Sequence, residues 1–582
     1  MRLQKALVPL AAEILVGVCV AQPVEYRVVA AEGQQASGMP AGVTYKSFEM
    51  PQISTLGNTG FVSSIQGIGV NQVNDRVLYI ESDKTLYAVA REGEVPAGAD
   101  GSYIIDFGRM NTFGQYAPTP LFNSSERFSF VAKLDRGDEG VWQNWNQLGN
   151  IRTILLEGTG AAGTTYLTGD LFHSDASVPA FTLTNTFALH IKLRGEDLPS
   201  TSDTGIWGTD DRGLSTALIA REGDQAPGFN TGVVFRHFGH PTVGAAGLTA
   251  FHAICEGPGI TEENNEGVWT WTGGSGVLHL QFREGDQAPR FSPDTRIASI
   301  RPFVSLYQNL YYLMTVSGPN IADSNDQVIF SNRQSSLREL YREGSQAPGL
   351  LSGTSIGSID DVFISDFDTI AFVSKLSGPG VTSANDECIW FEMWDKDLVL
   401  GAREGDQAPG FPPGYTFRSF RVTYPDGSLG PDPSIRTGRI AFTGELLWPG
   451  FDPQSPLVGS WVSDQRGELR AVAPPGTPIT VGPGNTKTVE RSQILPTGSV
   501  NSSDMVAAWV QFTDGTSAVV VESIDFGCVA DVNGDGMTSP ADFSAWVAAF
   551  NTGSVQCDQN FNGLCSSSDF SAWVSNYTLG CP

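Results

Sequence analysis

Apolar and polar residues alternate along this chain in short runs. Leu278, Leu280 and Phe282, with His279 and Gln281 between them, are typical, and a period of two marks a half-buried β-strand. The runs end in a polar turn that keeps returning. Residues 403–410 read REGDQAPG, and close copies occupy 221–228, 283–290 and 342–349. Weaker copies begin at Ala31, Arg91 and Leu156, and the degenerate run 473–476 falls where an eighth is due. The glycine after the glutamate (Gly33, Gly93, Gly158, Gly223, Gly285, Gly344, Gly405) recurs with a period of roughly sixty residues. That is too long for a helical-pair solenoid and suits a four-stranded propeller blade. This glycine admits a positive φ and the Pro-Gly that follows stops the strand, so the motif reads first as turn chemistry.

Three further strands fit between successive markers: 415–421, 439–446 and 457–462 after Gly405, and 233–238, 248–254 and 267–271 after Gly223. The third of each set carries an aromatic at one register, Trp142, Trp207, Trp269, Phe330, Trp390 and Trp461. Such a column is either a row of sugar-stacking platforms or the packing layer between blades, and a radial core requires the second. The repeat region begins with a lone marker strand, 25–31, and ends with three strands lacking one, 486–494, 505–512 and 517–522. The pattern therefore predicts an all-β fold, an eight-bladed β-propeller over 22–525 whose first strand completes its last blade and removes two open edges. A seven-bladed ring with a degenerate final segment is the alternative. Four alternating strands per blade put the marker turn and the loop between the second and third strands on one face. That second loop is acidic in 256–266, 317–326 and 377–387. The expectation is a face carrying Glu222, Asp224, Glu284, Asp286, Glu343, Glu404 and Asp406, which either binds a polysaccharide, another extracellular ligand or a metal, or is simply solvated.

Composition narrows the class. With 66 Gly, 34 Pro and 17% charged residues, the chain suits short strands and turns. A net charge of −28 without a basic stripe excludes nucleic acid and an anionic membrane surface as partners. Residues 1–21 place Arg2 and Lys5 before an apolar run and a small-residue exit at Cys19-Val20-Ala21, the pattern of a secretory signal peptide. A lipoprotein signal acylated at Cys19 is the lesser alternative. No other window reaches the length of a membrane span, so a secreted, extracellular or surface-attached protein is expected.

Residues 526–582 carry a more specific constellation. Asp531, Asn533, Asp535, Ser539 and Asp542 stand at positions one, three, five, nine and twelve of a loop with Gly536 at six, the pattern of a calcium loop. Phe543, Trp546, Val547 and Phe550 then fall on one helical face. The arrangement repeats as Asp558, Asn560, Asn562, Gly563, Ser566 and Asp569, followed by Phe570, Trp573, Val574 and Tyr577, and the hexapeptides 542–547 and 569–574 are identical. Paired calcium-loop and helix units with Asp at position twelve and no preceding helix resemble a type I dockerin. The resemblance implies that Asp531, Asn533, Asp535 and Asp542, with the Met537 carbonyl, bind one Ca2+. It implies that Asp558, Asn560, Asn562 and Asp569, with the Leu564 carbonyl, bind another, more weakly because the second loop has fewer carboxylates. It also implies a cohesin-like or cell-surface anchoring partner. The Gly527-Cys528 pair resembles the start of dockerin-like anchors. The REGDQAPG turns, with Ala250-Phe251, Ala371-Phe372 and Ala441-Phe442 on second strands, resemble uncharacterised bacterial tandem-repeat proteins bearing such anchors; that likeness brings no activity.

Of seven cysteines, Cys255 and Cys388 fall in strands of different blades and read as buried thiols, while four lie in the small module, where disulfides are expected. Three pairings are possible. Cys528–Cys581, joining the module's ends, and Cys557–Cys565, bracing the second loop, are the preferred set. The reading favoured for the whole chain is a non-catalytic binding or scaffold protein docked through its C-terminal module. The alternative is a polysaccharide-degrading glycoside hydrolase or lyase, which needs a carboxylate pair in a cleft, whereas the prominent acids here recur in every unit. His237 and His240 are a further candidate metal pair that reads more simply as ordinary blade residues.

Overall fold

The computed structural model describes residues 26–107, 121–122, 127–144, 150–169, 180–181, 186–209, 216–523, 530–533, 539–552, 557, 559 and 565–579. Within 216–523 it omits 245–246, 274–275, 306, 334–335, 366–367, 394–395, 421, 424–428, 431–433, 437–438, 451–456, 464–466, 496–498 and 502–504. Two compact units separate, one over Tyr26–Ile524 and one containing the C-terminal residues from Asp525.

The first unit is an eight-bladed β-propeller of antiparallel sheets. Blade 1 is Thr44–Phe48, Thr59–Gln66, Arg76–Ser82 and Thr85–Arg91, hydrogen-bonded in that order. Blades 2 to 7 repeat the plan, beginning at Ile104, Leu167, Val234, Arg296, Ser355 and Thr416. Blade 8 draws Asn485–Gln493, Met505–Phe512 and Ser517–Ser523 from the end of the repeat region and Tyr26–Ala31 from its start. The two ends meet as the sequence predicts, with Tyr26 paired to Glu522 and Ala31 to Ala518. Eight sheets, not seven, follow from the count. Blade 8 also has a fifth strand, Pro478–Gly482, folded onto Asn485–Gln493; the alternation in so short a stretch did not announce it.

Why the blades close into a ring is visible in the third strands. Tyr79, Trp142, Trp207, Trp269, Phe330, Trp390 and Trp461 are each exposed by 1% or less. The aromatic column is the packing layer, and sugar-stacking platforms are ruled out. Opposite six of these seven aromatics, all but Trp461, the fourth strand carries a bulge, as between Val268 and Trp269, which adds twist and makes room for the ring. The clusters span neighbours: Ile206, Ile219 and Ala220 of blade 3 pack with Phe235, Phe238 and Trp269 of blade 4, and Ala30 and Val519 of blade 8 with Tyr45 and Phe61 of blade 1. Each blade face is thus completed by the next blade, which is why an incomplete circle would expose apolar surface. Cys255 and Cys388 are buried free thiols, their pKa values pushed by burial to about 12, as expected of packing residues.

The second unit holds two helices, α1 (Pro540–Thr552) and α2 (Ser567–Leu579). Each starts at a serine N-cap with a carboxylate three residues on, Ser539 with Asp542 and Ser566 with Asp569, so the position-twelve aspartates also serve as capping partners. Among the described residues no helix is long and apolar enough to cross a membrane.

Candidate functional site

The repeated turn is a corner that ties one blade to the next. In the copy at 403–410, Gly405 has φ +86° and donates its N–H to the Phe417 carbonyl of the following blade at 2.8 Å. Gly33, Gly93, Gly158, Gly223, Gly285 and Gly344 do the same toward their own next strands at 2.7–2.9 Å. The degenerate run keeps the device, Gly476 donating to Val489 at 2.8 Å, and so forms the eighth corner. The arginine that opens the motif donates Nε–H to a carbonyl in the loop between second and third strands: Arg91 to Asn74, Arg221 to Ser202 and Arg403 to Asn385, each at 2.8 Å. The two loop classes therefore share a face, as strand parity requires. Gln225 donates Nε2–H to the carbonyls of Ala226 and Asn230 at 3.1 Å and accepts the Gly232 N–H at 2.9 Å, caging the turn from within. Trp142, Trp207, Trp269 and Trp461 donate Nε1–H at 2.9 Å to the seventh corner residue, Ala97, Ala162, Pro227 and Pro409, linking corner to core.

The corner glutamates overturn one expectation. Glu222, Glu284 and Glu343, predicted on the open acidic face, are 4–8% exposed. Their carboxylates accept backbone N–H groups at the start of the third strand, Thr204 at 3.3 Å, Glu266 at 3.1 Å and Gln327 at 3.4 Å. Glu404 accepts the Glu387 N–H at 3.4 Å in the same way. Burial, against the pull of Arg76, pushes the pKa of Glu92 up to about 7, and burial with a hydrogen bond to Asp326 takes Glu343 to about 7. Burial raises Glu222, Glu284 and Glu404 as well. A carboxylate folded inward onto backbone amides cannot greet a ligand. What remains exposed on this face is the loop acids, such as Glu262 and Glu263 in a turn closed by Asn264 on the Thr261 N–H. His237 and His240 are exposed on blade 4 beside His252, whose pKa burial and the two neighbouring imidazoles lower to about 4. Among the described residues no group of three or more His, Cys, Asp and Glu is placed to hold a metal.

In the C-terminal module the duplication seen in sequence becomes a reciprocal exchange. Trp546 of α1 donates Nε1–H to Cys557, just ahead of the second loop, and Trp573 of α2 donates to Ala530, just ahead of the first, at 2.9 and 3.2 Å. Each helix holds the other loop's entrance. Cys557 and Cys565 form the expected disulfide, while Cys528 and Cys581 lie outside the described residues. Asp542 is fully buried, with the Asn533 N–H at 3.1 Å and the Ser539 N–H at 2.7 Å on its carboxylate. Burial opposes its ionisation, but these donors outweigh it and hold its pKa below the usual carboxylate value. Asp542 also hydrogen-bonds the carboxyl of Asp531, itself 6% exposed. Asp569 repeats the pattern, with Gln559 N–H at 3.1 Å and Ser566 N–H at 2.8 Å. Two buried carboxyls in contact, one kept ionised, in a set of hard oxygen donors, fit a hard divalent cation. Asp535, Met537, Asp558, Asn560, Asn562 and Leu564 lie outside the described residues.

Solved structures similar to this chain are propellers. The β-propeller domain of the Trilobed protease from Pyrococcus furiosus is 12% identical, with 73% of this chain and 97% of that one covered and a TM-score of 0.33. The acylaminoacyl peptidase of Pyrococcus horikoshii is 8% identical over 80% of this chain and 57% of that one, at 0.37. The α-L-arabinofuranosidase Arb93A from Fusarium graminearum is 9% identical over 59% and 90%, at 0.26. No curated protein matches. The model of a family of unknown function, DUF7453, matches residues 13–119 and 120–524, which spans the propeller and stops short of the module.

Proposed function

The chain belongs to the DUF7453 family of unknown function, and we propose that it is a secreted, non-catalytic binding protein displayed on a cohesin-like or cell-surface partner through a dockerin-like, calcium-dependent C-terminal module. The observation that carries this reading is the outward side of the two identical hexapeptides. Phe543 and Val547 on α1 are 39% and 36% exposed, and Phe570 and Val574 on α2 are 41% and 40% exposed. A module this small does not waste large apolar side chains on water; a duplicated apolar surface is what a protein partner covers. Ca2+ would be held by Asp531, Asn533, Asp535, the Met537 carbonyl and Asp542, with a second site at Asp558, Asn560, Asn562, the Leu564 carbonyl and Asp569. When bound it supplies charge that lets the carboxyls pack together. On the propeller side, acids that recur in seven of the eight corners and fold into them favour binding over catalysis, because a glycosidase needs one pair set apart in a cleft.

The test compares the full chain with a chain ending at Ile524 for retention on cell envelopes of the producing cells. Retention of the full chain in calcium, its loss on chelation and its absence in the shortened chain support the proposal. Equal retention of both chains refutes docking through the module.

A further inference from the structure

One corner lacks the glutamine that five others share and closes in a shorter turn than theirs, and a cavity lies beside it. At 156–163 the motif reads LEGTGAAG, with Gly160 where Gln35, Gln225, Gln287, Gln346 and Gln407 stand in other corners. The turn is also tighter: Gly160 bridges to Leu167, whereas Gln225 bridges to Val234 and Gln407 to Thr416. No caging side chain is present, and a Cβ built on Gly160 would meet nothing within 4 Å. Between blades 2 and 3 this leaves a cavity of about 440 Å3, within the ~300–1,000 Å3 range of small-molecule sites. It is reached past Thr159 and Gly160, which are exposed, and floored by Leu155, Ile191 and Trp207.

The lining defines the ligand. Among the described residues no titratable side chain borders the cavity, so a charged ligand would lose its hydration without an ion pair from them in return. Four threonines border it, Thr153, Thr159, Thr168 and Thr216, and the first three spend their hydroxyl protons on the backbone. Thr153 Oγ1 donates to the Ala97 carbonyl, Thr159 Oγ1 to Leu156 at 2.5 Å and Thr168 Oγ1 to Leu156 at 2.6 Å. The Trp207 Nε1–H is likewise committed to Ala162 at 2.9 Å. What these groups keep is acceptor lone pairs, so a ligand satisfies them by bringing O–H donors on an otherwise apolar body.

We infer that the Gly160 cavity is a binding site for a neutral, hydroxyl-rich small molecule of the monosaccharide or short neutral oligosaccharide class. It depends on one deviant corner and on none of the chemistry of the C-terminal module, so its fate is separate from that of the docking proposal. The motif is held from within by glutamine in five corners, and in this one both that side chain and part of the turn are missing, which is how a repeat ring acquires a site at one position.

Saturation-transfer NMR on the full chain, with neutral hexoses and pentoses, their short β-linked oligomers and the matching uronic acids, tests it. Neutral sugars should give transfer, and the uronic acids at least tenfold less. Gly160→Gln restores the residue of five other corners at a position without positive φ, so it should leave thermal unfolding unchanged or raised while reducing binding at least tenfold. Thr159→Val, which removes one exposed acceptor and keeps the shape, should weaken binding about threefold to tenfold and serves if the glutamine variant folds poorly. Absence of transfer to every neutral sugar, equal binding of the uronic acids, or wild-type binding by the variants overturns the inference.

Discussion

In blades 1 to 7 a large side chain of the third strand is exposed by 1% or less, whereas the C-terminal module buries its two indoles to 5–6% and leaves Phe543, Val547, Phe550, Phe570 and Val574 at 36–41%. The propeller stabilises itself by area: each blade roofs its neighbour, and the corners satisfy backbone groups with buried side chains. The module has too short a chain for that. It relies on capped loops, one disulfide, the exchange of tryptophan hydrogen bonds and, in our proposal, a cation, as small domains do. Size alone sets which kind of stabilisation each region needs.

Removing calcium should separate the two regions most. With a chelator, scanning calorimetry of the full chain is predicted to lose a module transition entirely while the propeller transition stays within about 2 °C; a module that melts identically with and without chelator contradicts the metal reading. Next in size is Trp269→Ala, which empties a core site and breaks the bond to Pro227. It should cost the propeller about 3–5 kcal/mol by denaturant unfolding and leave the module untouched. Replacing Cys557 and Cys565 by alanine opens a short loop and should cost the module about 2–3 kcal/mol, with no effect on the propeller.

The smallest effect has opposite signs in the two regions. Glu92, Glu343 and Glu522 have folded pKa values raised to about 7. Between the unfolded value near 4.5 and about 7 the folded propeller binds more protons than the unfolded chain, so its stability falls as pH rises through that window. The Asp542 pKa is lowered, so its contribution to the module is present above the unfolded value and is lost as pH falls through the folded one. Melting at pH 5 and pH 7.5 should therefore show the propeller slightly more stable at pH 5, by about 1–2 °C after allowance for solvent screening. A propeller that gains stability toward pH 7.5 would mean the corner acids are ionised at little cost.

Much of this was legible beforehand, and the reasons are local. Turn chemistry is short-range, so REGDQAPG marked the corners, and a period of two located the strands: 439–446 was expected where Arg439–Leu447 forms, and 517–522 where Ser517–Ser523 forms. Closure by Tyr26–Ala31 followed from arithmetic, one end lacking what the other had spare. Three-dimensional placement was not legible. Glu222 reads as a surface residue in a polar turn, and only the approach of the Thr204 amide explains its burial. The exchange between Trp546 and Trp573 required knowing that the second helix packs beside the first loop. The Gly160 cavity had a visible signal, a glycine where five other corners have glutamine, but its volume depends on what the neighbouring blade leaves unfilled.

The ring is the premise on which the corners, the shared face and the cavity all depend. Hydrogen-exchange mass spectrometry of the native chain reads it directly, by comparing Tyr26–Ala31 with its partner strand Ser517–Ser523. The account predicts that the amides of both segments exchange together and as slowly as those of the central strands. Exchange of 26–31 within seconds while 517–523 stays protected would contradict it.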